Sequence, residues 1–288
     1  MLRSKLQKSA LYEDSIQNSE LLDLSLQNCP SSEISKYFPN KNTTSNGFLD
    51  NIFTIQRNLN AELNQIDFKK HPIKFVYNPT VYASEPCEKY FKRYCHNSIK
   101  LLLVGMNPGP FGMCQTGVPF GDTNWVKNWL CIEGHVSKPP VECPARPVQG
   151  FNCTRKEQSG DRFWKFWSEL CGTPDKFFSN AFVYNYCPLA FMDEGGKNLT
   201  PADIKDRKVL ESVCDKYYLE LIRLVQPELV IAIGSYIEKR TKALFKASKM
   251  TLPVICLPHP SPRAVNNNNW PEKARNFLEK HQLMHFFQ

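Results

Sequence analysis

Apolar residues gather into four short stretches, at 99–105, 177–186, 229–234 and 253–257, the first two interrupted by Lys100 and by Ser179, Asn180 and Asn185. Runs of that length without polar alternation predict strands buried on both faces. Between and after them apolar residues recur every three or four positions, which predicts helices. These cover 123–132 (Trp125, Val126, Trp129, Leu130 inward), 161–171 (Phe163, Trp164, Phe166, Trp167, Leu170), 200–225, 235–249 and 270–281. The third opens on TPAD, a cap followed by Pro in the first turn. Upstream, 47–68 and 85–94 read as helices. The Pro-containing segment 71–83 reads as an edge strand or ordered loop.

The resulting order, strand then helix four times over, predicts an α/β fold: three layers, α/β/α, around a central, mainly parallel four-stranded sheet. Residues 1–48, rich in Ser, Asn, Gln and Lys, are expected to form a poorly ordered extension, with one catalytic domain over 49–288. The connection 139–158 is long, polar and Pro-containing. It carries Arg146, Arg155 and Lys156, and loops of that length in compact domains tend to be functional or mobile.

Parallel strands place their carboxyl ends on one edge of a sheet, where open α/β folds carry their chemistry. GMNPG, NYCPL, GSY and HPSPR are therefore expected to converge there. The first of these loops is the most unusual. Four aliphatic residues, 101–104, run into a stretch that holds five Gly and three Pro by residue 122, so it is stiff and lets the backbone approach a ligand closely.

Composition narrows the partner. Lys and Arg exceed Asp and Glu by eight, and the sequence pI is near 8.9, which suits a polyanion such as nucleic acid. Eleven scattered Cys include no CxxC pair, so no zinc or iron–sulfur ligand set is expected, and reduced thiols in a cytosolic or nuclear protein are. No signal peptide and no membrane span are expected.

Three polar residues stand at the predicted edge: Asn107, Asn185 and His259. Taken singly, each reads more readily as a local hydrogen-bonding or structural residue. His259 is held between Pro258 and Pro260 at a strand exit, which points to a ligand. No carboxylate pair is expected beside the strand ends, which disfavours two-carboxylate glycoside hydrolysis, and neither GxSxG nor GxxxxGK[ST] occurs. Neutral Asn and His suit a reaction whose leaving group is already a fairly stable anion.

GMNPGPFGMCQTGVPFGD at 105–122, FVYNYCPL at 182–189, NLTP at 198–201 and HPSPR at 259–263 resemble the single-strand-selective monofunctional uracil-DNA glycosylases. RPVQG at 146–150 and SGDRFW at 159–164 extend the resemblance, which runs from about residue 99 to the last helix. It implies hydrolysis of the N-glycosidic bond of uracil, and of 5-hydroxymethyluracil, in single- and double-stranded DNA. The product is an abasic site in base excision repair, formed with no cofactor or metal and no lyase step. Asn107 would position the attacking water, and His259 would hydrogen-bond uracil O2 as charge grows on the leaving base. Asn185 would read the uracil edge, Phe120 would stack on the flipped base, and Met106 and Gly109 would line the pocket. Pro260, Ser261, Pro262 and Arg263 would form a wedge entering the helix. Gly195, Lys197, Asn198, Lys205, Arg207 and Lys208 would contact DNA. The resemblance also implies a nuclear protein, monomeric and without membrane attachment.

Three other readings compete. One is a non-catalytic damaged-DNA or single-strand binder on the same fold. Another is a nucleoside or nucleotide hydrolase, and the last a thiol hydrolase built on Cys187 and His259.

Overall fold

The computed structural model describes residues 45–68, 70–205, 207–263 and 267–288. Most of the expected extension, residues 1–44, lies outside them. The first helix, α1 (Ser45–Leu63), starts before the expected boundary at 48. The sheet that organises the chain is built from β2 (Leu101–Gly105), β3 (Ala181–Asn185), β6 (Leu229–Ile233) and β7 (Val254–Leu257). Its order is β3-β2-β6-β7 and every neighbouring pair is parallel. Leu102, Leu103, Val104 and Val183 are fully buried, as strands covered on both faces require.

Helices α2 (Ser84–Tyr94), α3 (Thr123–Asn128), α4 (Gln158–Cys171), α5 (Arg207–Val225), α6 (Ser235–Ala247) and α7 (Trp270–Lys280) complete the three layers. Helix α5 packs on α1, α6 on β6 and β7, and α4 on α7 and α3. The aromatic stripe expected along 161–171 is the inner face of α4. Phe163, Trp164 and Trp167 are fully buried there, against Phe177 and Trp270.

The structure corrects two expectations and places a third element. The apolar run from 177 is not strand throughout: Pro174–Phe178 forms a helical turn, capped by the Thr173 hydroxyl, which accepts from the Lys176 N–H at 3.3 Å. Phe177 and Phe178 are as buried as the strand residues beyond them, and only Ser179 and Asn180 mark the break between turn and strand. The TPAD cap does not open the long helix. The Thr200 N–H and hydroxyl both donate to Asp203 Oδ2 at 2.8 Å, closing a short 3₁₀ turn over Pro201–Asp203. The proline-containing segment near 75 is an edge strand, but of a second, antiparallel sheet. There β1 (Phe75–Tyr77) pairs with β4 (Ala190–Met192), which pairs with β5 (Asn198–Leu199).

Candidate active site

Gly105 ends β2 directly beside Asn185, which ends β3. A Cβ on Gly105 would stand 2.4 Å from Asn185 Oδ1 and 2.9 Å from Phe120 Cε2, so the missing side chain is what lets the amide and the ring meet there. Asn185 is buried, and its Nδ2 donates to Met113 Sδ at 3.2 Å. That fixes the amide with its oxygen over Gly105. Beyond the strand end the pairing continues into the loops: the Tyr186 N–H donates to Gly105 O and the Cys187 N–H to Met106 O, both at 2.9 Å.

Asn107 lies two residues beyond β2. Its Nδ2 donates to the Leu189 carbonyl at 3.2 Å. With the donor side committed, Oδ1 remains as an acceptor for water.

Phe120 adopts φ 54°, a left-handed conformation uncommon for a side-chain-bearing residue. The surroundings hold it there: its ring stacks on Phe163 at 4.5 Å between centroids and 17° between planes, in front of the α4 aromatic cluster. His259 stands beside the same ring, at 5.9 Å between centroids. Strained backbone of this kind gathers at functional sites.

His259 follows β7 by two residues and packs against the turn at Gly234, where φ is +92°. The Ser261 N–H donates to His259 Nδ1 at 3.1 Å. Burial pulls the imidazole pKa from 6.5 down to about 4, so the ring is neutral at pH 7. A neutral ring that accepts at Nδ1 carries its proton on Nε2.

The segment after His259 is braced by a residue that the sequence did not single out. Asn267 is buried, and its Nδ2 donates to His259 O at 2.9 Å and Ser261 O at 2.8 Å. Trp270 Nε1 donates to Pro258 O at 2.6 Å, and Arg162 holds the Asn267 carbonyl at 2.8 Å. Arg263 is exposed, with its N–H on Ser261 Oγ at 3.2 Å. Pro260, Ser261 and Pro262 lie between these anchors.

Two further residues hold the glycine-rich loop, and neither carried a signal in sequence. Gln115 is fully buried with its whole amide engaged: Nε2 donates to Pro110 O and Pro147 O, and Oε1 accepts from the Gln149 and Gly150 N–H groups, all between 2.7 and 3.1 Å. Glu157, from the long connection, lays its carboxylate against Gly109 and Gly112. Burial raises its pKa, against the Ser159 N–H that it accepts. Its own N–H donates to Asp122 Oδ2 at 3.0 Å, and Asp122 also caps α3. Two carboxylates thus do stand near the loop, contrary to expectation, but both are occupied as caps.

Behind Asn185 lies a polar network. The Tyr186 hydroxyl donates to Asp215 Oδ1 at 2.7 Å, Arg240 binds both Asp215 and Glu211, and the Tyr236 hydroxyl donates to Glu211 at 2.8 Å. Arg240 on α6 thus turns inward, toward α5. Lys242 on the same helix pairs with Glu238 at 2.7 Å. Cys187 is fully buried, which is how a packing residue sits.

The other predicted contact residues fall outside this cluster. Gly195 and Lys197 are exposed on the turn that joins β4 to β5, Asn198 starts β5, and Lys205 and Lys208 are exposed with half-buried Arg207 between them. Among the described residues no group of His, Cys, Asp and Glu could hold a metal ion, and no helix is long and apolar enough to cross a membrane.

The uracil DNA glycosylase superfamily matches residues 91–281. A mouse protein named single-strand selective monofunctional uracil DNA glycosylase is 42% identical over 258 residues, covering 88% of this chain and 91% of the mouse one. Its rat counterpart is 43% identical over 249 residues, 85% and 88% of the two chains. The crystal structure of wild-type Pedobacter heparinus SMUG2 superposes with a TM-score of 0.58 at 17% identity, over 80% of this chain and 97% of that one, a likeness of fold.

Proposed function

The chain belongs to the uracil DNA glycosylase superfamily, among the single-strand selective monofunctional uracil-DNA glycosylases, and from that premise we propose that it removes uracil from DNA by hydrolysis. The substrates include single- and double-stranded DNA, and the protein works in the nucleus as a monomer.

In this reading the target nucleotide leaves the stack and its base lies against Phe120. Asn185 Oδ1 accepts from uracil N3–H while its amide nitrogen faces O4. Cytosine offers the opposite pattern, so a fixed amide rejects it. Water held by Asn107 Oδ1 attacks C1′ as the C1′–N1 bond breaks. A carboxamide is too weak a base to abstract a proton early, so its part is orientation. The bond's electron pair leaves with the base, and the His259 Nε2–H stabilises the charge on O2. The water's oxygen stays on the sugar with one of its protons, the other is released, and N1 takes up a proton after departure. No Lys stands at these positions to form a Schiff base, in keeping with a monofunctional enzyme. Arg263 and its neighbouring prolines form the wedge that fills the vacated space.

The observation that carries this reading is the Ser261 N–H on His259 Nδ1, because in a buried neutral ring it leaves Nε2 as the donor that an anionic leaving group needs. The pocket is also expected to accept 5-hydroxymethyluracil. Gly109 adds no side chain, and the Glu157 carboxylate beyond it gives the substituent polar surroundings.

The test is free-base release from single- and double-stranded oligonucleotides carrying uracil or 5-hydroxymethyluracil, with EDTA present and free deoxyuridine as control. Release from DNA and none from deoxyuridine supports the reading. Tight DNA binding with no release favours the non-catalytic binder, and release from deoxyuridine favours the nucleoside hydrolase.

A further inference from the structure

Four residues past Asn107, Phe111 holds two guanidiniums over its ring. The Arg155 Cζ lies 4.0 Å from the ring centroid and the Arg146 Cζ 5.1 Å. Both arginines come from the long connection that precedes α4. A guanidinium seated by its face keeps the N–H donors of its edge for another partner.

Those donors are largely uncommitted. Neither arginine forms an ion pair among the described residues. Arg146 Nη1 donates only to its neighbour's carbonyl, Ala145 O, at 2.8 Å, and its buried Nε has no partner. Carboxylates of the same region are already occupied: Glu142 takes Lys138 and the Val148 N–H, and Asp161 takes Lys156 and the Trp125 indole. The Arg146 Nε is buried, so the donors left for a partner are the Nη groups of Arg146 and the guanidinium edge of exposed Arg155.

The pair also lies on a path. The Arg146 stem packs against Gly196, whose Cβ would stand 3.3 Å from Arg146 Cγ, next to exposed Lys197. Arg146 and Arg155 on Phe111 therefore lie between the glycine-rich loop and the β4–β5 turn that carries Lys197.

We propose that Arg146 and Arg155, seated on Phe111, clamp a backbone phosphodiester of the strand that carries the target nucleotide, outside the base pocket. Two forks of N–H donors match phosphate oxygens bidentately, which lysines on a solvated face do not. The clamp rests on the glycosylase reading for its ligand, and it deepens that reading by giving the flanking strand a site.

The test measures binding by fluorescence anisotropy, so that it does not depend on turnover. The probes are single strands with a reduced abasic site. One has several nucleotides on each side, and the other is trimmed to one neighbour on each side. The proteins are wild type, Arg146→Gln, Arg155→Gln and the double variant, with unfolding midpoints checked. Arg155 is exposed, so its single variant remains informative if loss of Arg146 disturbs the loop. On the long strand the double variant is expected to bind about tenfold more weakly. The slope of log K against log salt should flatten by about 1.4, for two contacts of roughly 0.7 each on single strands. On the trimmed strand the difference should vanish. Unchanged affinity and slope on the long strand overturn the clamp, and so does an equal loss on both strands. Uracil release by the wild type is assayed beside these. Its absence, with the affinity penalty intact, rejects the enzyme reading and keeps the clamp.

Discussion

The backbone N–H of Ser261 donates to Nδ1 of His259 at 3.1 Å, and this one bond decides which face of the imidazole can act. It leaves Nε2 as the donor, in a ring that burial keeps uncharged.

The first consequence is a pH profile. The His259 pKa is about 4 in the folded protein and 6.5 unperturbed, so turnover should show no limb near 6.5 from this residue, and an acid limb near 4. For stability the sign follows from protons bound. The unfolded chain takes up this proton first, so the His259 contribution is complete above pH 6.5 and is lost as pH falls toward 4. Site-resolved NMR titration of the imidazole, with turnover measured over the same range, checks both.

Asn107→Ala should lower turnover by about 10²–10³-fold, in the range for removing one oriented polar group from an active site. Affinity for an abasic strand should stay within a few fold. Single-turnover kinetics and anisotropy on the same protein separate the two effects, and a parallel collapse of both would make Asn107 a structural residue.

Asn185→Asp should change the choice of base. The variant loses the amide donor that favours uracil O4, so the ratio of uracil to cytosine release should fall, and the unfolding midpoint should fall too, because a carboxylate replaces a buried amide. Chromatography of bases released from matched oligonucleotides gives the ratio.

Asn267→Ala leaves the His259 and Ser261 carbonyls without their shared donor. A loss of about 1–3 kcal/mol in stability is expected, read from denaturant unfolding. Activity should fall further on duplex than on single strands, because the braced segment is the one assigned to entering the helix. Arg263→Ala should show the same duplex bias without the loss of stability, since its side chain is exposed.

Arg240→Ala should destabilise by about 3 kcal/mol, because it strands two largely buried carboxylates, Asp215 and Glu211, next to the turn that carries Asn185. Thermal unfolding checks this.

Much of the architecture could be read from the chain because buried parallel strands are written as apolar runs. The four central strands and their shared edge followed from that, and with them the positions of Asn107, Asn185 and His259. The run at 177–186 misled because a buried helical turn and a buried strand look alike in hydrophobicity. Polar residues that work through distant partners left no trace. Gln115 binds residues more than thirty positions away, Glu157 reaches back to Gly109, and Arg240 on α6 pairs with Asp215 on α5. A polar side chain in a loop looks the same in sequence whether it faces water or a buried carbonyl, and only the fold tells them apart.

The arrangement of Asn185, Phe120 and His259 around one base is tested most directly by a crystal structure of the protein with an abasic strand and free uracil. Uracil is expected stacked on Phe120, with His259 Nε2 within hydrogen-bond distance of O2 and Asn185 Oδ1 within reach of N3, about 2.7–3.1 Å in each case. Uracil bound elsewhere, or bound there with His259 Nε2 turned away from O2, would contradict it.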